Sequence, residues 1–122
     1  MNPNKFILDE NTPGPRWRAI LLHNANSSFP IDAVRVGDSP DLPLQSPDPD
    51  ILIWAERNDR ILISGDKRTM LGHMADHLSN GRHSPGVIIL KSKGNRAFVS
   101  DLEAIAHASD PDERLDMVRY FP

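Results

Sequence analysis

Two short runs limit the fold of this chain more than any others: RILIS, residues 60–64, and GVIIL, residues 86–90. Both are apolar almost without interruption, so neither side of either segment can face water. Strands of that kind belong in a parallel sheet covered on both faces. KFIL, residues 5–8, reads as another short buried strand. IDAVRV, residues 31–36, alternates apolar positions with Asp32 and Arg35, and MVRYF, residues 117–121, reads as a closing edge strand.

Between these runs the apolar residues recur at helical spacing. A first helix is expected over residues 16–25, with Trp17, Ile20 and Leu21 facing the core. A second runs from Asp48 or Asp50 to about Asn58, carried by Ile51, Trp54 and Ala55, with Pro49 suited to its first turn. Thr69 is expected to cap a third, whose Met70, Leu71, Met74, Ala75 and Leu78 form one face and which stops at Gly81. A fourth carries Phe98, Leu102, Ile105 and Ala106. Asp110, Pro111 and Glu113 have the spacing of a capping box and open a last short helix. The alternation predicts an α/β fold, a three-layer α/β/α sandwich around a mainly parallel sheet. At 122 residues the chain is expected to form a single domain over 1–122.

The 39% apolar and 25% charged content fits a soluble globular protein. No stretch approaches the roughly 18 apolar residues that span a bilayer, and MNPNKFILDEN lacks the basic and apolar regions of a signal peptide. A cytoplasmic location with no membrane partner is therefore expected. The chain has no cysteine, so any metal must sit on oxygen or imidazole. A net charge of −3 gives no overall pull toward nucleic acid, and a polynucleotide partner would need a local basic patch or bridging cations.

The carboxylates carry the functional signal. Asp9 follows the first strand and Asp66 the third, so a parallel sheet puts both on one rim, where open sheets bind ligands. Asp48 opens the helix before the third strand. Three such charges in one place would repel one another by several kcal/mol on the order-of-magnitude scale for close pairs. Mg²⁺ or Mn²⁺, which favours carboxylate and water oxygens, resolves that conflict and can activate a water for attack on phosphorus. Each acid also has a purely structural reading. Asp9 and Glu10 fit strand-end turns, Asp48 before Pro49 fits a helix N-cap, and Asp66 fits a turn. Asp50 fits a first-turn charge and Asp101 a solvated helix face.

Lys67 and Arg68 follow Asp66 directly and are placed to meet a polynucleotide backbone, with Arg82 and residues 91–93 extending the patch. His73 and His77 in HMADH have the spacing of a zinc pair. Met74 stands where a metalloprotease needs glutamate, so two polar surface histidines are expected. His23, His83 and His107 show no partner in the sequence. TPGP and SKGN lack the spacing of a phosphate loop.

FILDEN, then SPDPDILIWAERNDRILISGDKRTM, then SPGVIIL and a closing VRYFP together resemble the small PIN-like proteins of prokaryotes. Members of that family read approximately L-D-E-N, D-x-x-I-L-x-x-A, then R-I-L with an aliphatic residue, Ser or Thr, any residue and Asp, and finally P-G-V. The resemblance covers nearly the whole chain. It implies a parallel sheet with a Mg²⁺- or Mn²⁺-dependent acidic site, and a ribonuclease acting as the toxin of a toxin–antitoxin pair. Residue by residue, it implies Asp9, Asp48 and Asp66 as catalytic metal ligands, Asp48 being preferred to Asp50 because it stands three before Ile51. Glu10 is the best match for a fourth acid, with Asp101 behind it. The partners implied are an RNA substrate, a small antitoxin protein and a second copy of the chain. Ser64 and Gly65 stand where members often carry threonine and histidine.

Two other readings compete. A noncatalytic PIN-like module would grip RNA or protein with the same rim or with the long loop from Gly37 to Pro49. A phosphate-accepting receiver-like domain would need a Lys-Pro pair after the fourth strand, and GVIIL runs into Lys91 without one.

Overall fold

The apolar runs become the middle strands of a five-stranded, all-parallel sheet in the computed structural model, which describes residues 3–90 and 94–121. In chain order the elements are β1 (Lys5–Leu8), α1 (Gly14–Asn26), β2 (Asp32–Arg35), α2 (Asp48–Asn58), β3 (Arg60–Ser64), α3 (Lys67–Ser79), β4 (Val87–Leu90), α4 (Asn95–Ala108), a 3-10 turn (Pro111–Glu113) and β5 (Val118–Phe121). The sheet order is β2-β1-β3-β4-β5. Phe6 pairs with Ala33 on one side and Ile61 on the other, and Ile63 pairs with Ile88.

Alternate strand residues supply two separate cores, which is what makes three layers. Ile7, Leu62, Val87 and Ile89 pack on Leu52, Ala55, Met70 and Met74 of α2 and α3. Phe6, Leu8, Ile61, Ile63 and Ile88 pack on Ile20, Phe98, Leu102 and Ala106 of α1 and α4. Each fully buried large side chain contributes about 1.5–3 kcal/mol, so two-sided burial of β1, β3 and β4 dominates the stability.

The sheet extends from β1 in both directions. From β1 the chain steps one way to β2 with α1 on the first face; from β2 to β3 and on to β4 it steps the other way, with α2 and α3 on the second face. Those crossovers share one hand. The β4–β5 connection steps in the same direction as β3–β4 yet carries α4 on the first face, so its hand is opposite, against the usual preference for right-handed units. Asn4 helps hold α4 there. Its Nδ2 donates to the carbonyls of Ile105 at 2.8 Å and Ser109 at 3.2 Å, and its backbone N–H donates to Ala106 at 2.9 Å.

Several local expectations are corrected. On α1 the buried residues are Arg16 and Ile20, while Leu21 is half exposed. Arg16 is tolerated inside because its Nη1 donates to Asn95 Oδ1 at 3.0 Å and its guanidinium covers the Phe98 ring. On α3 the buried face is Met70, Met74 and His77, with Leu71 and Ala75 turned outward. His77 is thus a core residue and not a surface one, its ring Nε2 being 2.8 Å from the His83 carbonyl and 3.4 Å from Glu56. Asp66, not Thr69, caps α3. Pro47 holds the N-cap position of α2, and Asp48 is its first helical residue with no capping bond. The short helix after Asp110 is a 3-10 turn, with Asp110 accepting from Asp112 N–H. The remaining histidines do have partners: His83 Nδ1 lies 2.9 Å from Asp116, His107 Nε2 2.8 Å from the Pro30 carbonyl, and His23 Nε2 3.0 Å from that of Phe29. Arg82 follows the C-terminal end of α3 and lies 3.7 Å from Glu56, at the opposite end of the helix from Lys67 and Arg68, so it does not extend their patch. Residues 91–93 lie outside the described residues.

Gly86 allows the chain to enter β4. Its φ is +125°, and a Cβ there would stand 2.9 Å from the carbonyl oxygen of Arg114. Gly86→Ala is expected to destabilise the fold by about 1–3 kcal/mol. Gly72→Ala, inside α3 with nothing within 4 Å of the added carbon, should instead stabilise it by up to about 1 kcal/mol. Urea unfolding midpoints compared at constant slope check both signs.

Candidate functional site

The first connection from β1 and the one from β3 diverge to opposite faces, which opens a crevice at the carboxyl ends of those two strands. Their loops nonetheless approach closely. A Cβ on Gly65 would stand only 3.1 Å from the Asn11 carbonyl oxygen, so glycine suits this position.

Asp9 sits at this switch point, one residue past β1, with its backbone N–H still donating to Ile63 at 3.0 Å. It is 5% exposed. Oδ1 accepts from Asn11 N–H at 3.0 Å and from the Thr12 hydroxyl at 3.3 Å. Oδ2 is buried and receives no well-formed hydrogen bond among the described residues, although the Ser64 hydroxyl lies close enough to the carboxylate to favour its charged form. Burial raises the Asp9 pKa above the ordinary carboxylate value. The Ser64 and Thr12 hydroxyls and the Asn11 N–H oppose that rise, the charge of Asp48 adds to it, and burial prevails.

Asp48 is therefore brought close enough to Asp9 to act on its charge. Its Oδ2 lies 3.6 Å from His73 Nε2. Asp66 is held differently. Oδ1 accepts from Arg68 and Thr69 N–H at 3.0 and 3.3 Å, and Oδ2 accepts from the Thr69 hydroxyl at 2.5 Å. Those bonds, the Thr69 hydroxyl foremost, lower its pKa, and His73 adds a smaller pull the same way. Glu10 is exposed and its carboxylate accepts from Gln45 N–H, tying the long loop back to the end of β1. Asp50 is exposed on the first turn of α2 and lines a different hollow with Trp54 and Arg57. Asp101 lies half-buried on α4. Lys67 and Arg68 are exposed in the first turn of α3, Lys67 Nζ standing 5.7 Å from the Tyr120 ring.

The charge of Asp48 thus reaches Asp9, Asp66 caps α3 after the neighbouring strand, and His73 stands beside Asp48. Among the described residues no group of three or more His, Asp or Glu side chains is arranged to hold a metal ion. The donors present fit a cation of a particular kind. Mg²⁺ is commonly held by one or two carboxylates, with water and substrate phosphate completing its shell, and a buried carboxylate with one oxygen lacking a well-formed hydrogen bond, close to the charge of a second carboxylate, suits that pattern.

His73 escaped the sequence reading because its relation to His77 suggested zinc, whereas only the packing of α3 on α2 reveals Asp48 as its partner. A second feature was also missed. Asp9 lines a cleft of about 670 Å³ between the ends of β1 and β2, together with Trp17, Arg18 and Arg35. The signal available for Arg35 was its place at the carboxyl end of a strand. Comparisons of the chain with family models, curated proteins and solved structures returned no match.

The raised pKa of Asp9 has a definite consequence for stability. Its protonated form contributes stability that is fully present below the unfolded value of about 3.9 and is lost as pH rises through the folded pKa. At pH 7 in chelator, Asp9→Asn should therefore be more stable than the wild type, by about 1–3 kcal/mol for removal of a buried unsatisfied charge. The advantage should vanish below about pH 4, and Mn²⁺ should stabilise only the wild type. Thermal unfolding with and without Mn²⁺ measures all three. A less stable variant at pH 7 would make Asp9 an ordinary turn residue.

Proposed function

We propose that the chain is a Mg²⁺- or Mn²⁺-dependent ribonuclease, the toxin of a pair completed by a small antitoxin protein. One observation carries the reading: at the switch point of a parallel sheet, a carboxylate is buried with one oxygen lacking a well-formed hydrogen bond, and the charge of Asp48 lies close enough to raise its pKa further. Such a pair is unfavourable by itself and becomes favourable around a divalent cation.

Asp9 and Asp48 are the residues that would hold the ion. Asp66 joins as third carboxylate by giving up the Thr69 hydroxyl, while its Oδ1 keeps capping α3. The bound ion would supply positive charge to the phosphodiester oxygens and lower the pKa of a water. His73, beside Asp48, orients that carboxylate. Glu10 holds the long loop at the rim, and Lys67 and Arg68 meet phosphates flanking the scissile bond. Their place at the N-terminus of α3 adds the partial positive charge of the helix end.

A second reading, a noncatalytic RNA- or protein-binding module, is favoured by the lack of a ready three-group cluster among the described residues. Chelation separates the two. Cleavage of mixed RNA is expected to rise with Mn²⁺ or Mg²⁺ in the wild type and to fall roughly 100-fold or more in Asp9→Asn and Asp66→Asn, the scale seen when an electrostatic stabiliser is lost. Asn caps a helix about as well as Asp, so Asp66→Asn should keep its fold by circular dichroism. Equal cleavage by all three proteins would remove the reading, and binding that survives chelation without turnover would establish the alternative.

A further inference from the structure

The cleft on the β2 side of Asp9 has the chemistry of a nucleotide subsite. Its volume, about 670 Å³, lies in the range of pockets that take small ligands. Its wall combines the loops after β1 and β2 with Trp17 and Arg18 of α1 and Arg35 at the carboxyl end of β2, so the three side chains that matter here stand on regular elements. Arg18 is exposed there and has no hydrogen bond, ion pair or ring contact among the described residues. Arg35 is held over Trp17, its guanidinium carbon 4.6 Å from the ring centre. Its Nη2 donates to Asp38 at 3.3 Å, which holds the guanidinium in place.

An arginine stacked on an aromatic ring is a platform for an unpaired base, because guanidinium planes and π-faces both accept one whatever its sequence. An unpartnered arginine beside it supplies the charge for a phosphate. The acids of the same wall, Asp9, Glu10 and Asp38, outnumber the two arginines. The cleft therefore repels anions until a divalent cation offsets Asp9, which makes nucleic-acid affinity depend on the metal.

We propose that this cleft binds the nucleotide flanking the scissile phosphate of a single-stranded RNA, with Arg18 on its phosphate and its base stacked on the Arg35–Trp17 pair. The assignment rests on the nuclease reading above. It also sets the direction of the strand, from the crevice at Asp9 and Asp48 outward over α1 toward the β2 edge.

The test uses the full chain carrying Trp54→Phe, so that Trp17 is the sole emitter, titrated with a nuclease-resistant phosphorothioate RNA octamer. In Mn²⁺ the RNA should quench Trp17, and in chelator it should bind far more weakly. Arg18→Gln and Arg35→Gln should each leave Mn²⁺ binding, read from the free-ion resonance signal, unchanged. Each should weaken RNA binding by about tenfold; Arg18→Gln should also reduce the slope of log affinity against log salt by about 0.7, the value for one single-strand phosphate contact, and Arg35→Gln should abolish the quench. If the wild type binds Mn²⁺ and cleaves RNA while both variants bind the octamer with unchanged affinity and slope, the subsite is overturned and the nuclease reading stands. Absence of Mn²⁺ binding and of cleavage in the wild type would overturn both. Equal binding of duplex RNA, or equal competition by an acidic peptide, would overturn the assignment to a single-stranded nucleotide.

Discussion

Helices seal β1, β3 and β4 from above and below, and that two-sided burial confines polar chemistry to the two rims where the strands stop. Phe6, Ile7, Leu62 and Ile63 are all fully buried, so no charge can be placed within the middle of the sheet without a large penalty. The first position at which β1 can present a carboxylate is Asp9. Because the chain leaves β1 for one face and β3 for the other, the same position is where the sheet opens.

The two rims handle their charges differently. At the amino rim, Asp116 accepts from Ser84 N–H at 2.7 Å and faces His83 at 2.9 Å, while Glu56 accepts from His83 N–H and stands within ion-pair distance of His77 and Arg82. The buried oxygen of Glu56 that lacks a hydrogen bond still has the Arg82 guanidinium 3.7 Å away, while Arg114 Nε is buried without a hydrogen-bond partner among the described residues. The carboxyl rim is unbalanced. Asp9 is buried with one oxygen lacking a well-formed hydrogen bond, and the charge of Asp48 adds to the rise of its pKa.

Asp66 shows how one residue can serve both ends of the argument. Its bonds to Arg68 and Thr69 make it the start of α3, a role sufficient to explain an aspartate after β3. Asp48 has lost the corresponding explanation, since Pro47 takes the cap position and Asp48 makes no capping bond. Its carboxylate faces His73 and raises the pKa of Asp9 instead. No helix among the described residues is long and apolar enough to cross a membrane, in keeping with charge gathered at rims rather than excluded along a span.

The strand candidates, their parallel arrangement and the long helices were legible in the sequence, because unbroken apolar runs and helical spacing are local patterns that burial enforces residue by residue. Which helix face turns inward was less so: Arg16 and His77 entered the core in place of Leu21 and Ala75, since Asn95, far along the chain, satisfied the one and the His83 carbonyl, in the loop after the helix, satisfied the other. The placing of α4 on the face of α1, the approach of Asp48 to Asp9 and the cleft beside Arg18 belong to the tertiary structure alone. They depend on the order in which strands join the sheet, and spacing along the chain carries no record of that order.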